Sequence, residues 1–283
     1  MDISIILVNY NTREFIKRCL ESVFASKTGF TYEVLISDNG SGDGSIQMIK
    51  EEFPKANLIE NNSNLGFSKA NNIAISKASG GLILLLNSDT KVESDAIDKA
   101  IGYMNEHPNV GIMGCKILLP DGTPDRAARR KFPNPSNAFL RLFGLKKFSD
   151  YNIETPLDQE VEVDSVVGAF LVIRRAVIER IGLLDEEYFM YGEDLDWCWR
   201  AKEAGFAVMY YPGATIHHYK YGSAQAIPFR TIRMAHEAMR IFYRKHYAAD
   251  HSWVFNQFIY LGITIRQYFV LAINLFRAKK TVH

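Results

Sequence analysis

Three short polar clusters carry the groups in this chain that could do chemistry, and each follows an apolar run. Asn87, Ser88 and Asp89 come directly after five aliphatic residues, 82–86. A run without polar alternation reads as a strand buried on both faces. In open α/β sheets, ligands bind beyond the carboxyl ends of the strands. A carboxylate delivered there could hold a hard cation or a phosphate-bearing substrate. The same residues are also good turn and N-cap formers. Asn9, Tyr10 and Asn11 follow a first apolar run at 3–8, and Asp38 and Asn39 follow a second at 34–37. Parallel strands would gather all three clusters at one edge.

A fourth cluster is Glu193, Asp194 and Asp196, which open a helical stretch that stops at Gly205. A helix N-terminus favours carboxylates, so capping explains one acid. Three within four residues point to a site. Trp197 and Trp199 nearby could stack on a sugar, although aromatic residues at helical spacing more often belong to a core.

The elements that must position these groups alternate. Strands at 3–8, 34–37, 56–60 and 82–86 are each followed by a polar loop and a helical pattern. Asn11 and Glu14 have capping-box spacing before a helix whose inner face is Ile16, Cys19, Leu20 and Val23. Asp43 or Ser45 is placed to cap the second helix. Such alternation predicts a doubly wound parallel sheet over the first 110 residues. Further strands are expected at 111–119, 163–174 and 206–211, with His217 and His218 on the loop beyond the last, and helices at 175–181 and 229–247. No G-x-G-x-x-G follows the first strand and no G-x-x-x-x-G-K-[ST] occurs. A dinucleotide oxidoreductase and a P-loop NTPase are therefore disfavoured. What remains is a nucleotide site made of amides, carboxylates and one metal.

The 283 residues suit one large α/β domain plus an appendage. A formal net charge of +1 argues against a general nucleic-acid binder. Cys19, Cys115 and Cys198 are widely spaced, without zinc spacing, which fits a reducing compartment. Met1 leads straight into a strand, so no signal peptide is expected.

Taken together, Val8-Asn9-Tyr10-Asn11, Asp38-Asn39-Gly40-Ser41, Asn64-Leu65-Gly66-Phe67, Asn87-Ser88-Asp89 and Gly192-Glu193-Asp194-Leu195-Asp196 resemble the family 2 glycosyltransferases, in order, over about residues 1–245. Asp121-Gly122-Thr123, the run from Ala128 to Pro133 and the His218-to-Ser223 segment resemble bacterial rhamnosyltransferases within it. The resemblance implies a GT-A fold: a Rossmann-like, mostly parallel sheet flanked by helices, with a nucleotide-sugar half (1–115) continuous with an acceptor half (116–248). It implies an inverting transfer from a dTDP- or UDP-sugar, rhamnose among them, to a lipid-linked or polysaccharide acceptor in envelope glycan synthesis. Asn9, Tyr10 and Asn11 would line the base and ribose pocket, with Asp38 on the base. Asn39, Asn87 and Ser88 belong to the same donor edge. Gly66, Lys69 and Asn72 would face the ribose or diphosphate. Asp89 would carry the metal, Mg²⁺ or Mn²⁺, with His218 beside it, although Asn87 stands where the family's first metal-motif acid would be. Asp194 would be the general base, and Glu193 would position it or bind the acceptor. Other readings of the same residues are a sugar nucleotidyltransferase and a non-catalytic nucleotide-sugar-binding module. The first would want a basic, glycine-rich loop after the first strand.

Residues 123–147 hold seven Lys or Arg against one acid, Asp125. Interleaved with Phe139, Leu140, Leu142, Phe143 and Leu145, they read as a flap toward anionic headgroups or a lipid diphosphate, or as a solvated loop. Residues 253–276 are long enough to span a bilayer. Arg266 near their centre, and a polar stripe of Asn256, Tyr260, Thr264 and Gln267, favour instead a helix lying in the interface or forming a homodimer. Arg277, Lys279 and Lys280 would anchor it on the inner face of the cell membrane, with the domain in the cytoplasm.

Overall fold

The computed structural model describes residues 1–133, 153, 155–220 and 228–276. The run 139–147, with its interleaved apolar residues, and Arg277, Lys279 and Lys280 lie outside the described residues. Four parallel strands, β1 (Ile3–Asn9), β2 (Tyr32–Asp38), β3 (Asn57–Glu60) and β4 (Leu82–Asn87), run in the order β3-β2-β1-β4. This is the doubly wound arrangement that the alternation predicts. The sheet then becomes mixed. β10 (Phe170–Arg174) is antiparallel to both β4 and β6 (Val110–Leu118), while β11 (Ala207–His218) runs parallel to β6 and antiparallel to β5 (Thr90–Val92). Helices α1 (Arg13–Phe24), α2 (Ser45–Glu52), α3 (Phe67–Ile75), α4 (Ala96–Glu106), α5 (Arg175–Ile181) and α6 (Glu193–Glu203) complete the domain. One core cluster holds the aliphatic residues of β1, β2, β4, β6 and β10 together with the inner faces of α1 and α4.

Register does the positioning. Asn9 pairs with Asp38 and Val8 with Asn87, so the three polar clusters end level at one edge.

Three local expectations are corrected. The capping box at Asn11 does not form: Asn11 has φ +54° and its Oδ1 accepts from Gly42 N at 2.8 Å. Asp43, across the loop, accepts from Arg13 N at 2.9 Å and so caps α1 from outside. The predicted strand at 163–174 is two strands, β9 (Ser165–Val166) and β10, interrupted at 167–169, and β9 pairs instead with β7 (Arg129–Arg130). Finally, β11 does not stop at Tyr211. A register shift between Tyr211 and Thr215 takes Pro212 through as a bulge. The strand then continues beside β5, with His218 opposite Thr90, so His217 and His218 are strand residues.

α7 (Pro228–His246) packs Tyr188, Ala238, Ile241 and Phe242 into a second, smaller cluster with Trp199 and Phe132. Trp197 is fully buried and Trp199 lies 4.7 Å from the Phe132 ring, so both are core. α8 (Trp253–Phe276) folds back on α7. Arg240 donates to Gln267 at 2.8 Å, Tyr243 to Asn256 at 2.6 Å, and Arg266 sits 2.9 Å from His236 Nε2. The polar stripe of α8 is thus committed to α7. Its other face leaves Trp253, Phe258, Leu261, Ile265, Tyr268 and Phe269 each more than half exposed. By length and composition α8 could cross a membrane. Since Asn274 is its one buried residue, a chain ending at residue 248 should keep a cooperative thermal transition. Loss of that transition would make α8 part of the folding unit.

Candidate active site

At the strand edge, short polar side chains form a closed net. Asn9 is fully buried; its Nδ2 donates to Asp38 Oδ2 (2.7 Å) and Ser41 Oγ (3.0 Å), and its Oδ1 accepts from Thr12 Oγ1 (2.6 Å). Thr12 in turn lies 3.1 Å from Ser88 Oγ. Asp38 Oδ1 accepts from Gly40 N and Ser41 N at 3.0 and 2.8 Å. The carboxylate expected on the base is therefore buried and shapes the loop that follows β2. Asn39 ties Gly66 O (3.0 Å) to Asn61 Nδ2 (3.0 Å). Tyr10 is half-buried, and Asn11 and Lys69 are exposed at the rim.

Gly66 and Asn72 join the start of α3 to residues 184–189. Gly66 has φ +85°, and a Cβ there would lie 2.5 Å from Phe189 O. Phe67 N donates to that carbonyl at 2.7 Å and Ser68 Oγ to Tyr188 O at 2.6 Å. Asn72 donates to Leu184 O (2.8 Å) and Glu186 (3.1 Å) and accepts from Leu184 N (3.1 Å). The start of α3 thus clamps residues 184–189, the segment that delivers α6. Two left-handed residues, Tyr191 (φ +71°) and Gly192 (φ +85°), then turn the chain into that helix.

Asp89 and His218, distant in sequence, meet at the end of β4. His218 Nε2 is 3.1 Å from Asp89 Oδ1, and each side chain is 11% exposed. His218 Nδ1 is buried and has no partner among the described residues. A carboxylate and an imidazole this close suit a divalent cation that takes its other ligands from a diphosphate and water. Among the described residues no third acid, His or Cys joins them, so they do not form an all-protein cage.

The acids of α6 divide. Asp196 accepts from His246 Nε2 (2.9 Å) and Arg200 Nε (2.8 Å); burial would raise its carboxyl, but these two partners hold it low. It is a structural lock between α6 and α7. Asp194 Oδ2 accepts from Arg130 Nη2 (2.8 Å) and Gly168 N (3.0 Å), and its Oδ1 from Leu195 N (2.7 Å). Glu193 Oε2 is buried without a hydrogen-bond partner among the described residues. Burial, and then the charge of Asp194, push the Glu193 carboxyl up to about 8. Burial and the charges of Glu193 and Asp89 likewise raise Tyr191 to about 12, so Tyr191 feels both acid clusters.

Gly168 and Ala169, in the strand break, connect the two sides. Asn87 N donates to Ala169 O at 3.1 Å, while Gly168 N holds Asp194. No sequence signal marks this contact, because Gly168 sits inside an otherwise unbroken strand pattern. Arg129 and Arg130, expected on a surface flap, turn inward: Arg129 donates to Thr155 Oγ1 at 2.8 Å and Arg130 to Asp194.

Residues 4–182 match the sequence profile of Glycosyl transferase family 2. Among curated proteins, the chain is 28% identical over 254 residues to the N-acetylglucosaminyl-diphospho-decaprenol L-rhamnosyltransferase of Mycobacterium tuberculosis, covering 84% of this chain and 82% of that one. It is 27% identical over 222 residues to the rhamnosyltransferase WbbL of Escherichia coli K12, covering 76% and 82%. Among solved structures, Staphylococcus aureus TarS superposes with a TM-score of 0.60 at 18% identity, over 90% of this chain and 41% of TarS. The mannosyltransferase PcManGT of Pyrobaculum calidifontis, solved with GDP-Man and Mn²⁺, gives 0.58 at 18% identity, over 86% and 64%. These neighbours share the GT-A fold, and with the profile spanning well over half the chain, this protein belongs to glycosyl transferase family 2.

Proposed function

We propose that this glycosyltransferase moves a hexose, rhamnose foremost, from a dTDP- or UDP-sugar to a hydroxyl of a lipid-linked or polysaccharide acceptor, inverting the anomeric centre. The observation that carries the reading is the pair of acid groups flanking the 168–169 segment: Asp89 with His218 on the donor edge, Asp194 on the acceptor side. The nucleotide half is 1–115, the acceptor half 116–248, and 249–283 the appendage.

Asp89 and His218 would hold a divalent cation, which supplies charge neutralisation for the departing diphosphate. Asn9, Asp38 and Ser41 fix the loops that frame the nucleotide. Asp194 accepts the proton of the acceptor hydroxyl as the new C–O bond forms and the bond to the diphosphate breaks on the opposite face. Glu193, with its raised carboxyl, carries a proton at neutral pH and adds no second negative charge beside the base. The relatives named as rhamnosyltransferases, one with an N-acetylglucosaminyl-diphospho-decaprenol acceptor, support the donor and acceptor classes. The apolar face of α8 supports peripheral docking on the inner membrane face.

Asp89→Asn should weaken donor binding and abolish most of its dependence on Mg²⁺ or Mn²⁺. Unchanged metal-dependent affinity by calorimetry would remove Asp89 from the site.

Asp194→Asn should lower turnover by about 10²–10⁴-fold with donor affinity nearly unchanged. A near-normal rate would move the base elsewhere.

Glu193→Gln should alter the pH dependence of stability. The folded protein holds the Glu193 proton up to about 8, above the ordinary glutamate value of 4.5. Stability is therefore lost as pH rises from about 4.5 through 8. Denaturant midpoints of the variant should exceed those of the parent at pH 9 and match them more closely at pH 5. Parallel pH curves would refute a buried, unpartnered carboxyl.

The chain ending at residue 248 should no longer sediment with vesicles containing anionic lipid. Undiminished sedimentation would locate the anchor outside α8.

A further inference from the structure

Arg130 lies on β7, opposite Ser165 of β9, and its side chain is 16% exposed. One nitrogen, Nη2, reaches both Asp194 Oδ2 at 2.8 Å and Val166 O at 3.0 Å. The neighbouring residues fix its approach. Arg129 is held by Thr155 and lies over the Tyr210 ring at 5.0 Å, and Phe132 N donates to Asp164 Oδ2 at 2.9 Å. An Arg whose chain is fixed on both sides and whose side chain is 16% exposed is poorly suited to sampling solvent for a headgroup. It is well suited to holding one carboxylate oxygen in one place.

The charges around Asp194 explain why it needs that partner. Glu193 and Asp196 lie on the same helix, Cys198 is buried one turn on, and Lys202 is further along. From the elements packed against it, Arg130 on β7 is the cation in contact, and Gly168 N is the other donor to Oδ2. Two adjacent buried carboxyls with no cation would share one proton and neither would be a dependable base.

We propose that Arg130 is the positioning residue of the acceptor-activating carboxylate: with Gly168 N it fixes Asp194 Oδ2, so that Oδ1, which Leu195 N also holds at 2.7 Å, turns its remaining lone pair to the acceptor proton. In that step the acceptor O–H bond breaks, an Oδ1–H bond forms, and the negative charge leaves with the nucleoside diphosphate. The proposal rests on the role given to Asp194 above. It turns a residue of the basic run from a lipid contact into a part of the catalytic machinery.

The test uses the full-length enzyme. Transfer to a synthetic N-acetylglucosaminyl-diphospho-lipid is measured from pH 5 to 10, with dTDP-L-rhamnose or UDP-N-acetylglucosamine, whichever is turned over. An opposite charge in contact lowers a carboxyl by about 1–3 pH units. Arg130→Gln should therefore move the acid limb of the kcat profile upward by about that much, with donor KM within about twofold of the parent. Arg130→Lys should restore the limb, because the charge is kept, while kcat stays below the parent at every pH. If Arg130 acts through Asp194, adding Arg130→Gln to Asp194→Asn should cost nothing further. An unmoved acid limb in a folded Arg130→Gln enzyme, or a double variant slower than Asp194→Asn by the full Arg130→Gln factor, overturns the proposal. Should Arg130→Gln fail to fold, an Arg130→Lys enzyme with parental kcat at all pH values overturns it as well. An Asp194→Asn enzyme with near-normal turnover would instead overturn the base assignment itself, a different failure from the other three.

Discussion

Two hydrogen bonds to one stretch of backbone hold this site together. Asn87 N–H donates a hydrogen bond to Ala169 O, and Gly168 N–H donates one to Asp194 Oδ2. The first closes the carboxyl end of β4, and the second sets the acid at the start of α6. The first carries the antiparallel β4–β10 register one pair past Leu86 and Phe170. The second uses the amide of Gly168, in the break between β9 and β10, for a side chain of α6. A glycine at 168 is part of that solution. An added Cβ would stand 3.7 Å from Asp194 Cβ and 3.8 Å from Phe67 Cε1, a position where larger side chains would crowd the acid.

The sheet edge that gathers Asn9, Asp38 and Asn87 was legible because the signals there are local. Each apolar run of β1, β2 and β4 is followed at once by its polar residues, and parallel pairing levels them. Asp89 with His218 came from the family resemblance; their 3.1 Å approach depends on β11 running past Pro212. A proline before a Gly213-Ala214 pair looks like a strand end, and nothing in a linear pattern marks a bulge. The acceptor side was partly legible. Three acids in one helical turn stood out, but their division did not. Asp196 is claimed by His246, which is fifty positions later, Asp194 by Arg130, sixty-four earlier, and Glu193 by no hydrogen-bond partner among the described residues. Such partner choice is a tertiary fact. At Asn72 and Gly66 the sequence pattern gave no sign of the clamp that the side chain and backbone make on residues 184–189.

Electrostatics sorts the acids further. Asp196 is held low by its bonds to His246 and Arg200, Asp194 shares Arg130 with a backbone amide, and Glu193 is buried and raised. Adjacent carboxyls of unlike proton affinity allow one of a pair to accept a proton while the other keeps its own.

The link between Asp196 and His246 has a consequence for how such enzymes can be recombined. His246 closes α7, packs tilted against Trp199 at 4.8 Å, and bonds a residue two places beyond Asp194. The helix that carries α8 is therefore built into the helix that bears the acids. Cutting the chain before α7 would remove one wall of α6, whereas a junction in the short turn at Ala248–Asp250 leaves that wall intact. Any exchange of α8 should therefore be made after His246.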